Sequence, residues 1–325
     1  MTNWTEATKL LMASRSVVIV THPKPDGDAI GSMLGLGNVI RTMGKDVTCA
    51  VDEGVPAYLQ FLSGAEHVVS TLEAGQWDLC IATDVADETR AGQVGVYALA
   101  HADAVINIDH HPTNPMFGDV PLVYPQAVSA AEVVFDWWEH LGVHYDRDVA
   151  LPLLTGIVTD TQGFRTSSTS ARTLEIAMTL MRRGASLTEV TARALESKTA
   201  AEFELWKRIL PTAVLDGEVI TGVITLADAQ AVGMDDTTDA GLVQFLINVD
   251  EAMIACVFKE RPGGKVGLSL RAKRGYDVAG VALAFGGGGH IQAAGATIDG
   301  TLAEVMGRVM PLLRAAASKG RLDIV

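Results

Sequence analysis

The segment Thr21-His22-Pro23-Lys24-Pro25-Asp26-Gly27-Asp28 puts one imidazole and two carboxylates within seven residues, so a single loop offers three metal ligands. Further along, Ala82-Thr83-Asp84 ends an apolar run with a carboxylate, and Asn107-Ile108-Asp109-His110-His111-Pro112 ends another with an Asp-His-His triplet. Gly156-Ile157-Val158-Thr159-Asp160-Thr161 closes a fourth apolar run with one more acid. The first two groups have a plain structural explanation, since Pro, Gly and Asp form turns and Asp28 or Asp84 could simply cap a helix, whereas an Asp-His-His triplet is much rarer. Together the four groups hold three of the chain's eight histidines, and four strand-end sites, Asp160 included, converging on one sheet edge are hard to ascribe to capping. Adjacent histidines point in different directions, so one can ligate a metal while the other faces a substrate.

Carboxylate and imidazole without thiolate suit manganese, iron(II) or zinc better than a magnesium site made of oxygen alone. Two such ions about 3.5–4 Å apart activate a bridging water and clamp both oxygens of an in-line displacement at phosphorus. The chemistry anticipated is therefore two-metal phosphoester hydrolysis.

Positioning these groups requires a sheet whose strands end on one side. Val17–Val20, Val47–Val51, Leu79–Thr83 and Val105–Asp109 are short β-rich runs separated by helical patterns, which predicts an α/β fold with a parallel sheet covered by helices on both faces. Sites in such sheets gather beyond the carboxyl ends of the strands, where these residues fall. Asp28–Met43, Ala130–Leu141 and Ser170–Arg183 read as helices, the last with Ser170 as N-cap. Leu187 to Leu210 forms helix and lacks Gly and Pro. Strand patterns follow at Ala213–Leu226 and Met253–Leu270, with a turn at Arg261-Pro262-Gly263-Gly264. Asp277–Phe285 and Leu302–Leu313 are read as helices. The expected organisation is a catalytic domain over 1–186, a helical linker over 187–211 and a smaller α/β domain with a mixed sheet over 212–325.

The chain has 325 residues, 48% apolar and 20% charged, which fits a globular protein of two domains. Its net charge of −14 argues against a long-duplex nucleic-acid binder and leaves short phosphorylated ligands open. No apolar stretch reaches the roughly 18 to 20 residues needed to span a bilayer, and the N-terminus does not read as a signal peptide. Cys49, Cys80 and Cys256 lie far apart and read as buried free thiols, which indicates a reducing, cytoplasmic setting.

The loop His22-x-x-x-Asp26-x-Asp28, the acid Asp84, the triplet Asp109-His110-His111 and the acid Asp160 resemble the four motifs of the DHH phosphoesterase superfamily. Gly286-Gly287-Gly288-Gly289-His290-Ile291-Gln292-Ala293-Ala294-Gly295 resembles the glycine-rich signature of its first type of DHH-associated domain. The match runs through nearly the whole chain and is most similar to bacterial nanoRNases, which degrade very short oligoribonucleotides and often dephosphorylate 3′-phosphoadenosine 5′-phosphate. The resemblance implies one metal held by His22, Asp26 and Asp84. It implies a second held by Asp28, Asp84, His110 and Asp160, with Asp84 bridging. His111 would face the scissile phosphate, and Asp109 would orient a histidine. The cofactors expected are two divalent ions, Mn2+ first, with Mg2+, Fe2+ and Co2+ as alternatives. The partners expected are short single-stranded RNA or phosphorylated nucleotides, no membrane, and a second copy of the chain as a homodimer.

Residues 259–274 carry Lys259, Arg261, Lys265, Arg271, Lys273 and Arg274 against one acid, Glu260. Arg271 is the substrate-binding candidate there, because arginine grips an oxyanion with two parallel bonds, although a solvated hairpin edge explains such lysines as well. Gly287, Gly288, Gly289 and His290 allow close backbone approach to a phosphate, and Arg165 lies five residues beyond Asp160. Three other functions share parts of this pattern: inorganic pyrophosphatase, cyclic-dinucleotide phosphodiesterase and a non-catalytic nucleotide sensor.

Overall fold

The computed structural model describes residues 3–234 and 237–319, which divide into two compact units, Met1–Ser197 and Lys198–Val325. The division falls inside the 187–211 stretch.

In the first unit, helix α1 (Trp4–Ala13) precedes strand β1 (Ser16–Val20), and α2 (Gly27–Thr42) leads to β2 (Asp46–Ala50). Then come β3 (Leu79–Thr83), α3 (Gly92–Ala100), β4 (Val105–Asp109) and β5 (Val120–Val123). Helices α4 (Ala130–Leu141), α5 (Arg147–Asp160), α6 (Ala171–Arg182) and α7 (Leu187–Val190) complete it. The five strands pair in the order β2-β1-β3-β4-β5, all parallel. Every residue of β3 is buried, as a strand covered on both faces requires. The four expected strands are present, and β5 is added at the edge, where Pro121 costs no ladder bond to a further neighbour.

One expectation is corrected. The run ending in Asp160 is not a strand but the last turn of α5, so Asp160 sits at a helix C-terminus. Thr155, Ile157, Val158 and Thr159 favour strand locally, and Pro152 interrupts the helix, yet packing against α2 overrides both. The two helices touch backbone to backbone. A β-carbon on Gly31 would lie 2.4 Å from the Pro152 carbonyl oxygen, and one on Gly156 would lie 2.7 Å from Asp28 Oδ1.

Beyond α7 the chain passes through a π-helical turn (Thr191–Leu195), breaks, and resumes in the second unit as α8 (Ala200–Ile209) behind a Thr199/Glu202 capping box. That unit contains β6 (Val214–Asp216), β7 (Val219–Ile224), α9 (Leu226–Ala231) and α10 (Leu242–Leu246). The hairpin β8 (Ile254–Arg261) and β9 (Lys265–Ala272) follows, then α11 (Ala279–Leu283), β10 (Gly288–His290), β11 (Ala293–Asp299) and α12 (Leu302–Ser318). Its mixed sheet has the order β10-β11-β9-β8-β7-β6, with β7 and β8 parallel and the other pairs antiparallel. Val305, Val309 and Leu313 of α12 recur every four residues and are fully buried in a core with Phe258, Val266 and Leu270. The three cysteines are free and buried. Among the described residues no helix is long and apolar enough to cross a membrane.

Candidate metal centre

A sheet ordered β2-β1-β3-β4-β5 changes direction between β1 and β3, and the crevice beyond their carboxyl ends is where such folds bind ligands. His22 follows β1 and Asp84 follows β3, and His22 Nε2 lies 3.5 Å from Asp84 Oδ2. Asp109, His110 and His111 leave the next strand, β4.

The sequence offered Asp28 as the acid that could cap α2, and the structure corrects this. The cap is Asp26, whose Oδ1 accepts the amides of Asp28 at 2.9 Å and Ala29 at 3.1 Å. Asp28 is buried and does something else: its two oxygens accept the amides of Ala130 (2.6 Å) and Ala131 (2.9 Å). Those amides open α4, so Asp28 closes a second helix, 102 residues away, with the favourable sign for a helix N-terminus.

His110 is buried, and its Nε2 lies 3.5 Å from Asp160 Oδ2, 3.8 Å from Asp84 Oδ1 and 3.9 Å from Asp28 Oδ2. His111 turns the other way and is more exposed, with Nδ1 at 2.8 Å from Asp109 Oδ1. Asp109 is fully buried, and its Oδ2 accepts from Asn114 at 2.6 Å.

These donors fall into three overlapping sets, each with ligand atoms mutually within 4.8 Å: His22/Asp26/Asp84, Asp28/His110/Asp160 and Asp84/Asp109/His110/His111. Asp84 is the hinge of the arrangement. It is 5% exposed, its backbone is left-handed at φ 56°, and its Oδ1 has no hydrogen-bond partner among the described residues. His110 and His111 approach that oxygen only at 3.8 and 3.7 Å, and a buried carboxylate oxygen that accepts no hydrogen bond is costly unless positive charge meets it. The donor chemistry fits divalent cations: carboxylate and imidazole, converging from a β1 loop, two strand ends and a helix terminus.

Electrostatics agree. Burial raises the Asp28 pKa well above the ordinary carboxylate value, and the charges of Asp84, Asp160 and Asp26 push it further. Burial would raise Asp84 too, but the hydrogen bond from His22 and the charges of His22, His110 and His111 hold it at about 2. Burial lowers the His110 pKa and favours the neutral imidazole, the form a metal needs. At His111 burial is outweighed by the Asp109 hydrogen bond and the charges of Asp84, Asp109 and Asp160, which bring it up to about 9. In the metal-free protein this favours the imidazolium form of His111 beside the carboxylates at neutral pH.

The candidates of the second unit occupy one sheet. Arg271 pairs with Ala293 across β9 and β11, and His290 pairs with the same Ala293 across β10 and β11. They therefore stand in one row on one face, about 10 Å apart at two strand spacings. Arg271 Nε donates to Gln244 Oε1 at 3.3 Å, a partner the sequence did not disclose. Gly287 and Gly289 line the same ribbon, where a β-carbon would strike the Gly295 or Ala293 carbonyl oxygen at 2.2 or 2.4 Å; Gly288 pairs with Gly295. Lys273 is structural, since its Nζ reaches the carbonyls of Val249 and Asp250. Arg165, in the first unit, is exposed and donates to the Gln162 carbonyl at 2.7 Å. Its loop is strained, with Gln162, Gly163 and Phe164 all left-handed. Sequence reasoning missed Asn114, which stands three residues past the histidine pair and reads as a turn former before proline.

Comparison with known proteins agrees with this geometry. Residues 16–157 match the DHH family, N-terminal domain, and residues 226–318 match the DHHA1 domain. The chain is 34% identical to the bifunctional oligoribonuclease and PAP phosphatase NrnA of Thermus thermophilus, over 92% of this chain and 89% of that protein. It is 28% identical to the cyclic-di-AMP phosphodiesterase GdpP of Geobacillus thermodenitrificans, over 90% of this chain but 46% of that one. An exopolyphosphatase-related protein from Bacteroides fragilis shares the fold, with a TM-score of 0.85, 23% identity and coverage of 98% and 96% of the two chains. The ligand-rich strand ends of the first unit and the glycine ribbon of the second thus have a common origin: the chain belongs to the DHH family and carries a DHHA1 domain.

Proposed function

We propose that this phosphoesterase hydrolyses short oligoribonucleotides, such as 5′-phosphorylated dinucleotides, to 5′-mononucleotides, and 3′-phosphoadenosine 5′-phosphate to AMP. The observation that carries the reading is the shared Asp84, a buried acid with an oxygen that accepts no hydrogen bond and faces two histidines, inside overlapping sets of metal donors. The likeness to NrnA of Thermus thermophilus, over nearly the full length of both chains, supports the substrate class.

His22, Asp26 and Asp84 would hold one divalent ion and Asp28, His110 and Asp160 a second, which Asp84, 3.8 Å from His110 Nε2, would share as the family resemblance implies; Mn2+ is the ion best suited to the mixed donors. When bound, the ions supply Lewis-acid polarisation of the phosphoryl group and a nucleophilic water at neutral pH. The chain's own residues do the rest. Asp109 accepts from His111 Nδ1 and so leaves Nε2 to address the substrate; the imidazolium donates to a non-bridging phosphoryl oxygen as charge develops there. Arg271 and His290, in one row, bind the 5′-phosphate and sugar end of the substrate, with Arg165 as a further cation. Both proposed substrates lose the same leaving group, the 3′-oxygen of a 5′-mononucleotide, which is why one grip serves both. Self-association through the exposed apolar side chains Leu174, Met178 and Met181 of α6 completes the reading.

The test is incubation with Mn2+ and, separately, 5′-phosphorylated diadenylate, 3′-phosphoadenosine 5′-phosphate and pyrophosphate, with an Asp84→Ala control and ion-exchange separation of products. AMP from the first two is expected. Turnover of pyrophosphate alone would keep the metal centre and overturn the substrate assignment.

A further inference from the structure

Behind the metal centre lies a pair of buried asparagines that none of the roles above uses. Asn107 is fully buried on β4, directly opposite Ala82 of β3. Its Nδ2 lies 3.2 Å from the Val85 carbonyl and 3.4 Å from the Ala82 carbonyl, so one amide grips the chain on both sides of Asp84. The Asp84 amide itself donates to the Ile108 carbonyl at 2.9 Å. These bonds hold in place an acid whose backbone is in the left-handed region.

Asn114 is 9% exposed, and its Nδ2 lies 2.6 Å from Asp109 Oδ2, 2.8 Å from Asn107 Oδ1 and 3.2 Å from the Val85 carbonyl. A primary amide has two protons, and the two shortest contacts take them. Its Oδ1 accepts the Met116 amide at 2.8 Å, which fixes the nitrogen towards the acid. The bonds therefore have one direction. Asn107 donates to the turn carrying Asp84, Asn114 donates to Asn107 and to Asp109, and His111 donates to Asp109 from the far side. With Oδ2 committed to Asn114, Asp109 presents Oδ1 to His111.

We propose that Asn114 is a positioning residue for hydrolysis: it joins the strained turn of Asp84 to the Asp109–His111 pair, so that carboxylate and imidazole are presented in fixed relation. This rests on the phosphoesterase reading above. An amide that served only to fill the core would affect folding without selecting these two groups.

Three quantities separate the possibilities in Asn114→Ala, His111→Ala and the double variant: the unfolding midpoint, Mn2+ affinity by calorimetry on chelator-treated protein, and kcat and KM on 5′-phosphorylated diadenylate. Asn114→Ala should lower kcat about 10- to 100-fold and weaken Mn2+ several-fold, with KM within about threefold. In the His111→Ala background the same change should cost less than about threefold in kcat, because residues acting as a unit are not additive. Asn114→Asp keeps the shape but turns a donor to Asp109 into an acceptor; it should lose kcat similarly and carries the test should the alanine variant not fold. Either variant folded with kcat and Mn2+ affinity like the parent overturns the proposal, as does a full multiplicative loss in the double variant. A parent protein that turns over none of the phosphoesters sinks the functional reading instead, while the calorimetric comparison still judges the link to Asp84.

Discussion

Gly31 of α2 stands against Pro152 of α5 so closely that a β-carbon there would come within 2.4 Å of the Pro152 carbonyl oxygen and 2.9 Å of the Gly156 nitrogen. Both obstacles are backbone and cannot rotate away. This approach brings Asp28, near the start of α2, and Asp160, at the end of α5, to the same histidine.

Replacing Gly31 with alanine tests that spacing. Alanine gains about 1 kcal/mol of helix propensity, but forcing two backbones apart costs about 1–3 kcal/mol and spoils the ligand geometry. A lower unfolding midpoint and weaker Mn2+ binding are expected. Gly307 of α12 is the control: a β-carbon there meets nothing within 4 Å, so Gly307→Ala should raise stability by about 0.5–1 kcal/mol and leave Mn2+ binding unchanged. Differential scanning calorimetry with and without Mn2+ checks both.

Asp84→Asn removes the shared charge while keeping the shape. The parent should gain thermal stability as Mn2+ is added, in proportion to RT ln(1 + [Mn2+]/Kd), and the variant should stay flat. Its kcat should drop by more than about 100-fold. A parent-like metal-induced rise in the variant would remove Asp84 from its place as the shared ligand.

His111 gives the metal-free protein a pH signature. Its pKa is raised from 6.5 to about 9, so its contribution is present in full below the unfolded value of 6.5 and is lost as pH rises through about 9. Chelator-treated protein should therefore lose stability, by something of order 1–3 kcal/mol, between about pH 6.5 and pH 9. His111→Gln should flatten the profile over that window. Asp28 has the same sign in an acidic range: its raised pKa means that ionisation weighs on the metal-free fold, so metal binding should release protons, seen as a buffer-dependent calorimetric enthalpy.

Arg271→Ala should raise KM for 5′-phosphorylated diadenylate by about 10-fold or more, the worth of a charge-assisted hydrogen bond, and barely alter turnover of an aryl phosphate ester. His290→Ala should show the same selectivity in milder form, since the two residues share a row. Equal losses on both substrates would show that neither residue reads the nucleotide.

The strands β1, β3 and β4 were legible because each is a short, largely apolar run that leads directly into a chemically distinctive residue. That pattern also misled. Thr155 to Thr159 has the same local preference, and only the glycine face of α2, a tertiary fact, makes it helical and puts Asp160 on a helix end. The division of labour between Asp26 and Asp28 was hidden because Asp28 reads locally as the cap of α2; its actual partner, α4, arrives from 102 residues away. Asn114 was hidden because its neighbours are turn formers, and its burial follows from β3 and β4 pairing in one particular register. The alignment of Arg271 with His290 is likewise a property of sheet register, which no local pattern encodes.

Asp26 and Asp28 supply carboxyl oxygens that the first amides of two helices use whether or not a metal ever arrives. Asp160 ends its helix partly exposed, and His22 lies on a loop. A duplicated copy drifting away from catalysis would therefore shed its ligands in order, His22 and Asp160 early, Asp26 and Asp28 last. The two early acids of the chain would outlive the reaction they serve, so their presence in a relative speaks for the fold, and the state of His22 and Asp160 speaks for the chemistry.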